Sequence, residues 1–232
     1  MRTAVVIGST GLIGEELVEK LARQGSWGAV IAIGRKSKTW SNPKIRTVAF
    51  DFTNWGELEL QITSFAGNKT HLDFFCCLGT TIKAAGSQEA FRKVDLEYVV
   101  AFAILAQRCQ AAQLFVVSAL GADSTSETFY NRVKGEMESA VLQRFSGKLH
   151  FARPSLLLGD RKEFRFFERM AMLFAPVVSP LLMGNLSKYR PISAKTVAQA
   201  LVVVAAKLKS ASVVMENKEL HELGVVMKAM VS

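Results

Sequence analysis

Through the first part of the chain, short apolar runs alternate with stretches whose apolar residues recur every three or four positions. The runs predict strands at Ala4–Ile7, Ala29–Ile33, Arg46–Phe50, Leu72–Leu78 and Leu114–Ser118, and another beginning over His150–Arg153. The amphipathic stretches predict helices over Leu12–Gln24, where Leu17, Val18 and Leu21 face inward, around Trp55–Phe65, over Ser87–Gln110, and from about Glu127 to Arg144. Leu72–Leu78 is nearly all apolar, as a strand covered on both faces must be. This alternation predicts an α/β fold, a Rossmann-type doubly wound parallel sheet with helices on both faces. Right-handed crossovers then set the strand carboxyl ends, and any ligand, along one edge.

After Pro154 the regularity weakens. Asp160–Arg169 is dense in charge and phenylalanine, Met170–Leu186 is apolar and broken by Pro176 and Pro180, and Ala194–Lys207 reads as a further helix. No repeat or low-complexity linker divides the chain. The expectation is one domain over residues 1–232, with 155–190 forming a small C-terminal substrate lobe. Met170–Met183 is too short to span a bilayer. Thr3–Ile7 runs directly into glycines without a signal-peptide pattern, so a soluble chain is expected.

Half of the 232 residues are hydrophobic and 21% are charged, a globular composition. The net charge of +9 suggests an anionic partner: a phosphorylated cofactor, an acidic membrane surface or nucleic acid. Cys76, Cys77 and Cys109 lack the spacing of a disulfide framework or metal site, and fit free thiols in a reducing compartment such as the cytoplasm. His71, His150 and His221 are scattered, so no local metal motif is present.

Chemistry concentrates first at Gly8–Ser9–Thr10–Gly11–Leu12–Ile13–Gly14, between the first strand and the first helix. Gly8 permits a tight exit from the strand, Gly11 leaves room for a pyrophosphate, and Gly14 lets the helix pack closely on the sheet. The helix amino terminus offers free N–H groups to phosphate. A merely structural turn is the alternative; the position after the first strand favours a dinucleotide site. Where NAD sites carry an acidic residue after the second strand, this chain reads Ile33–Gly34–Arg35–Lys36. Arg35 could pair with a 2′-phosphate through two hydrogen bonds. NADP is favoured over NAD, against the alternative of a solvated basic turn.

A second constellation follows the fifth strand. Tyr130 and Lys134 are four residues apart and share a helical face. An ammonium beside a phenol stabilises the phenolate, so such a tyrosine exchanges a proton with a carbonyl oxygen as hydride arrives or leaves. Ser118, at the strand end, could orient that oxygen.

Together with the segments Cys77–Thr81, Lys93–Val99, Val116–Asp123, Tyr130–Glu138 and Ala152–Glu163, these motifs resemble the short-chain dehydrogenases/reductases. The chain is most similar to atypical members related to the Tat-interacting protein family, the HTATIP-like oxidoreductases. The resemblance runs through about Glu168, and more weakly to Ala200. It implies a catalytic triad of Ser118, Tyr130 and Lys134, with Lys134 also on the nicotinamide ribose. It further implies Asp51 and Phe52 beside the adenine, Leu78, Gly79 and Thr80 near the ribose, and Pro154, Ser155 and Leu156 flanking the nicotinamide. Asp95 stands where many relatives carry a relay asparagine. Proteins of this kind include cofactor-binding regulators, so a non-catalytic NADP-binding module is the rival to a carbonyl or alcohol oxidoreductase.

Arg161, Lys162, Arg165 and Arg169 beside Phe164, Phe166 and Phe167 would also suit peripheral contact with an anionic membrane. A lid over the substrate or a dimer contact is the favoured reading there. Nucleic acid is not an expected partner, because no recognition motif accompanies the charge. A monomer or homodimer is expected.

Overall fold

Along the first strand, β1 (Arg2–Ile7), Ala4 and Val6 pack on one side and Val5 and Ile7 on the other, and all four are fully buried. Both faces of the sheet are therefore covered, which explains the near-continuous apolar runs. The computed structural model describes residues 2–67, 71–158, 188–207 and 211–231. The other strands are β2 (Trp27–Gly34), β3 (Ile45–Ala49), β4 (His71–Cys76), β5 (Gln113–Val117), β6 (Lys148–Arg153), β7 (Leu157–Leu158), β8 (Ile192–Ser193) and β9 (Val213–Glu216). Seven of them form one parallel sheet in the order β3-β2-β1-β4-β5-β6-β9, while β7 and β8 pair separately.

The helices are α1 (Leu12–Arg23), α2 (Trp55–Ala66), α3 (Ile82–Ala85), α4 (Gln88–Arg92), α5 (Tyr98–Arg108), α6 (Phe129–Leu142), α7 (Ala194–Ala206) and α8 (Asn217–Val231). Leu17, Val18 and Leu21 of α1 pack with Val197 and Leu201 of α7 and Leu220 of α8 on one face. Leu58 of α2, Phe102 of α5 and Met137 of α6 fill the other. The expected doubly wound α/β architecture is present.

Three features depart from the expectations. The long helix predicted over Ser87–Gln110 contains a π turn at Lys93–Glu97, where Tyr98 N–H donates to the Lys93 carbonyl five residues back. The segment Ile82–Ala85 forms a short helix, capped by Thr81, whose hydroxyl accepts from Ala84 N–H. β9 and α8 extend the fold beyond the last predicted helix. Of the expected 155–190 lobe, residues 159–187 lie outside the described residues, and with them the segments Asp160–Arg169 and Met170–Leu186. The Leu157–Leu158 and Ile192–Ser193 pairing is the part that is described.

At the amino-terminal edge of the sheet a buried polar knot joins distant parts of the chain. Arg2 Nε donates to Asp73 Oδ2 at 2.8 Å, Trp27 Nε1 to the same oxygen at 2.8 Å, and Gln113 Nε2 to Asp73 Oδ1 at 3.0 Å. Arg2 also reaches the Ala205 carbonyl, at 2.6 Å. The Asp73 carboxylate thus brings three donors into the core with it, as burial requires.

Candidate cofactor cleft and active site

The opposite edge is built differently. Sheet order reverses between β1 and β4, and the ends of these strands, with those of β2 and β3, open into a cavity of about 470 Å³. Gly8, Thr10, Gly11, Arg35, Asp51, Phe52, Leu78, Gly79 and Thr80 all line it, so residues from four expected segments converge. A crevice at the carboxyl ends of strands, at a topological switch point, is where doubly wound sheets bind ligands.

The glycine turn is dictated by close packing. Gly8 has φ +75°, and a Cβ there would lie 2.7 Å from the Cys77 carbonyl carbon and oxygen. A Cβ at Gly14 would collide with the Gly8 carbonyl. Gly11 N–H donates to that carbonyl at 2.9 Å, which closes the turn. Among the described residues no side chain caps α1, so backbone N–H groups of its first turn remain for a ligand. This cradle fits a diphosphate. Ser9 takes another part: its buried hydroxyl donates to the Ile33 carbonyl at 2.9 Å and pins the turn to β2. Ile13 packs into the core, leaving only its backbone for a ligand.

Arg35 is exposed and borders both this cavity and a neighbouring one of about 320 Å³, shared with Asp51, Asn54 and Glu57. Lys36 is exposed but does not line the cleft, and Lys38 is paired with Glu15 and lies over the Trp40 ring. Phe52 holds φ +68°, an uncommon conformation for a large side chain. It is braced by a parallel stack on Tyr98, with ring centroids 4.4 Å apart. Thr53 donates two hydrogen bonds to Asp51, and these lower the Asp51 carboxyl below its usual range.

Ser118 lies at the end of β5 and is 4% exposed, and among the described residues its Oγ has no hydrogen-bond partner. Tyr130 is half-buried in the first turn of α6, its ring 5.5 Å from that of Phe91. One turn on, Lys134 is buried and its Nζ sits 2.7 Å from Asp95 Oδ1. Burial pulls the ammonium's pKa down, but the Asp95 carboxylate, assisted by Tyr130, overrides it and holds Lys134 above the usual lysine value. Pro154, Ser155 and Leu156 are not among the cleft-lining residues. The Ser155 hydroxyl donates to the Arg190 carbonyl at 2.6 Å and its N–H to Asn217 Oδ1, while Leu156 is half exposed. Cys77 borders the cleft, and burial raises its thiol pKa, which favours the neutral thiol.

Ala90, Val94 and Tyr98 also line the cleft. Their recurrence every four residues marks one helical face, the signal that identifies them in the sequence. The pairing of Asp95 with Lys134 joins residues too distant for any local pattern.

The model of the NAD dependent epimerase/dehydratase family matches residues 4–213. Rat Protein HTATIP2 is 32% identical over 173 residues, covering 75% of this chain and 70% of the relative. Protein FMP52-2, mitochondrial, of Scheffersomyces stipitis is 30% identical over 163 residues, covering 70% and 69%. The chain therefore belongs to the NAD dependent epimerase/dehydratase family, among its HTATIP-like atypical short-chain dehydrogenase/reductase members. The fold is shared with the Bordetella bronchiseptica enzyme WbmG in complex with NAD, at a TM-score of 0.66 and 12% identity over 99% of this chain and 78% of that one. It is shared too with the oxidoreductase ylbE of Lactococcus lactis, at 0.65 and 16% over 95% of each. Among the described residues no helix is long and apolar enough to cross a membrane.

Proposed function

We propose that this protein is an NADP-dependent oxidoreductase that reduces a carbonyl, or oxidises the corresponding alcohol, with Ser118, Tyr130 and Lys134 as its catalytic residues. The observation that carries this reading is the Ser118 hydroxyl. A buried hydroxyl without a partner costs on the order of 1–3 kcal/mol, and a substrate oxygen would satisfy it. Tyr130 gives its phenolic proton to that oxygen in reduction and recovers it in oxidation. Lys134, charged and buried, would favour the phenolate left behind and would hold the nicotinamide ribose. When bound, the nicotinamide donates or accepts the hydride.

The glycine turn and the uncapped α1 terminus would hold the diphosphate. Phe52 would flank the adenine, with Asp51 beside it, and Leu78–Thr80 the ribose. Pro154–Leu156 would flank the nicotinamide. Arg35 would take the 2′-phosphate, which is the basis for NADP over NAD. The free thiols support a reducing compartment, the cytoplasm. Subcellular fractionation tests this against a mitochondrial location, the one in the yeast relative's name.

The decisive measurement is NADPH oxidation over a panel of aldehydes, ketones and quinones, with wild type and Tyr130→Phe. Loss of the proton donor should lower kcat by about 10²–10⁴-fold. Undiminished activity in the variant removes Tyr130 from the chemistry. Tight NADP+ binding with no turnover across the panel would instead identify a cofactor-sensing module.

A further inference from the structure

Asp95 is fully buried at the centre of the π turn, where an extra residue in the helix turns its side chain under the cleft. Its two oxygens serve different elements. Oδ1 faces Lys134 Nζ of α6 at 2.7 Å, and Oδ2 accepts from Thr80 N–H at 2.9 Å, at the end of the loop that walls the cleft. Gly79 of the same loop lies directly over this carboxylate: a Cβ there would be 3.6 Å from Oδ1, an ordinary contact. A surface ammonium needs no such partner, but Lys134 is 2% exposed and would lose its proton readily without one. The other groups acting on it are Tyr130 from its own helix and Cys76 from β4, neither a permanent anion.

We propose that Asp95 is a positioning residue that keeps the buried Lys134 ammonium charged and, through the same carboxylate, locks it to the Leu78–Thr80 wall of the cofactor cleft. The role of the cleft rests on the dinucleotide reading above; the charge relation between Asp95 and Lys134 does not. A relay asparagine could satisfy Thr80 but could not hold an ammonium charged in a dry site. The acidic residue therefore changes what the position does.

The test compares cofactor-free wild-type protein with Asp95→Asn, following the Lys134 side chain by NMR of ¹³Cε-labelled lysine, with Lys134→Met assigning the resonance. The amide keeps an acceptor for Thr80 and removes only the charge. In wild type, Lys134 should titrate above 10.5; in Asp95→Asn its midpoint should fall by about one pH unit or more. NADP+ affinity by calorimetry at neutral pH should weaken by about tenfold, the loss of one charge-assisted contact.

A wild-type midpoint below 10.5 overturns the proposal without any variant, which decides the matter should Asp95→Asn not fold. An unmoved midpoint in a folded Asp95→Asn also overturns it, even if NADP+ binding weakens, because Asp95 would then only shape the loop. Should wild type fail to bind NADP+, the cofactor reading fails along with the cleft half of the proposal, while the lysine titration still decides the charge half.

Discussion

Replacing Gly8 by alanine tests whether the turn between β1 and α1 is as tightly determined as its geometry indicates. Two costs arise at one atom. Alanine at φ +75° lies in the left-handed region, a penalty of about 1–2 kcal/mol. Its Cβ would also sit 2.7 Å from the Cys77 carbonyl and 3.0 Å from Leu78 N. Those atoms are backbone, and Cys77 N–H is itself bonded to the Ile7 carbonyl at 3.0 Å, so no side-chain rotation relieves the overlap. Overpacking of this kind adds about 1–3 kcal/mol. A total near 3 kcal/mol corresponds to a fall in Tm of about 6–12 °C for a chain of this size. Gly25→Ala is the control, because a Cβ there meets nothing within 4 Å, and it should change stability by less than about 0.5 kcal/mol. Urea unfolding and calorimetric melting of the cofactor-free proteins measure both, and NADP+ titration shows whether the cleft wall has moved. If Gly8→Ala melts with Gly25→Ala and binds NADP+ as wild type does, the steric account of the turn is wrong.

Two other expectations concern charge. Arg35→Ala should weaken NADP+ by about tenfold to a hundredfold while leaving NAD+ within about twofold, the difference being one charge-assisted pair; equal losses for both would exclude Arg35 as the reader of the 2′-phosphate. His150 is fully buried between Phe115 and the surrounding core, and burial, with Lys148 nearby, lowers its pKa to about 4. An unfolded histidine takes up a proton near 6.5, the folded one only near 4, so stability should be lost as pH falls through that window, by up to about 3 kcal/mol. Urea titrations of wild type and His150→Phe across pH 4–7 isolate this contribution, since other groups titrate in both; parallel pH profiles would show that His150 takes no part.

Much of this architecture is written in local patterns. Near-continuous apolar runs such as Val5–Ile7 and Leu72–Cys76 mark strands covered on both faces, and the glycine turn marks the cleft. What escaped depends on contacts between distant residues. The π turn at Lys93–Glu97 inserts a residue without disturbing the apolar spacing that reveals a helix. Ser9 reads as a phosphate ligand until the Ile33 carbonyl is seen to occupy its hydroxyl. Ser155 is similar, its hydroxyl taken by Arg190 across a long separation in sequence. β9 is only four residues long at a sheet edge, with Val213 and Val214 partly exposed, so it lacks the long apolar run of the inner strands.

The polar knot around Asp73 has a consequence for synthesis. Arg2 is made long before its last partner: the carbonyl that completes its contacts belongs to Ala205, 203 residues further along the chain. At about 5–20 residues per second, β1 waits on the order of 10–40 s for that partner. Until α7 emerges and docks, β1 carries a buried-to-be guanidinium with only part of its final set of acceptors. The cleft at the other edge depends on the same strand, so a nascent chain should gain its cofactor site only after α7 has been made.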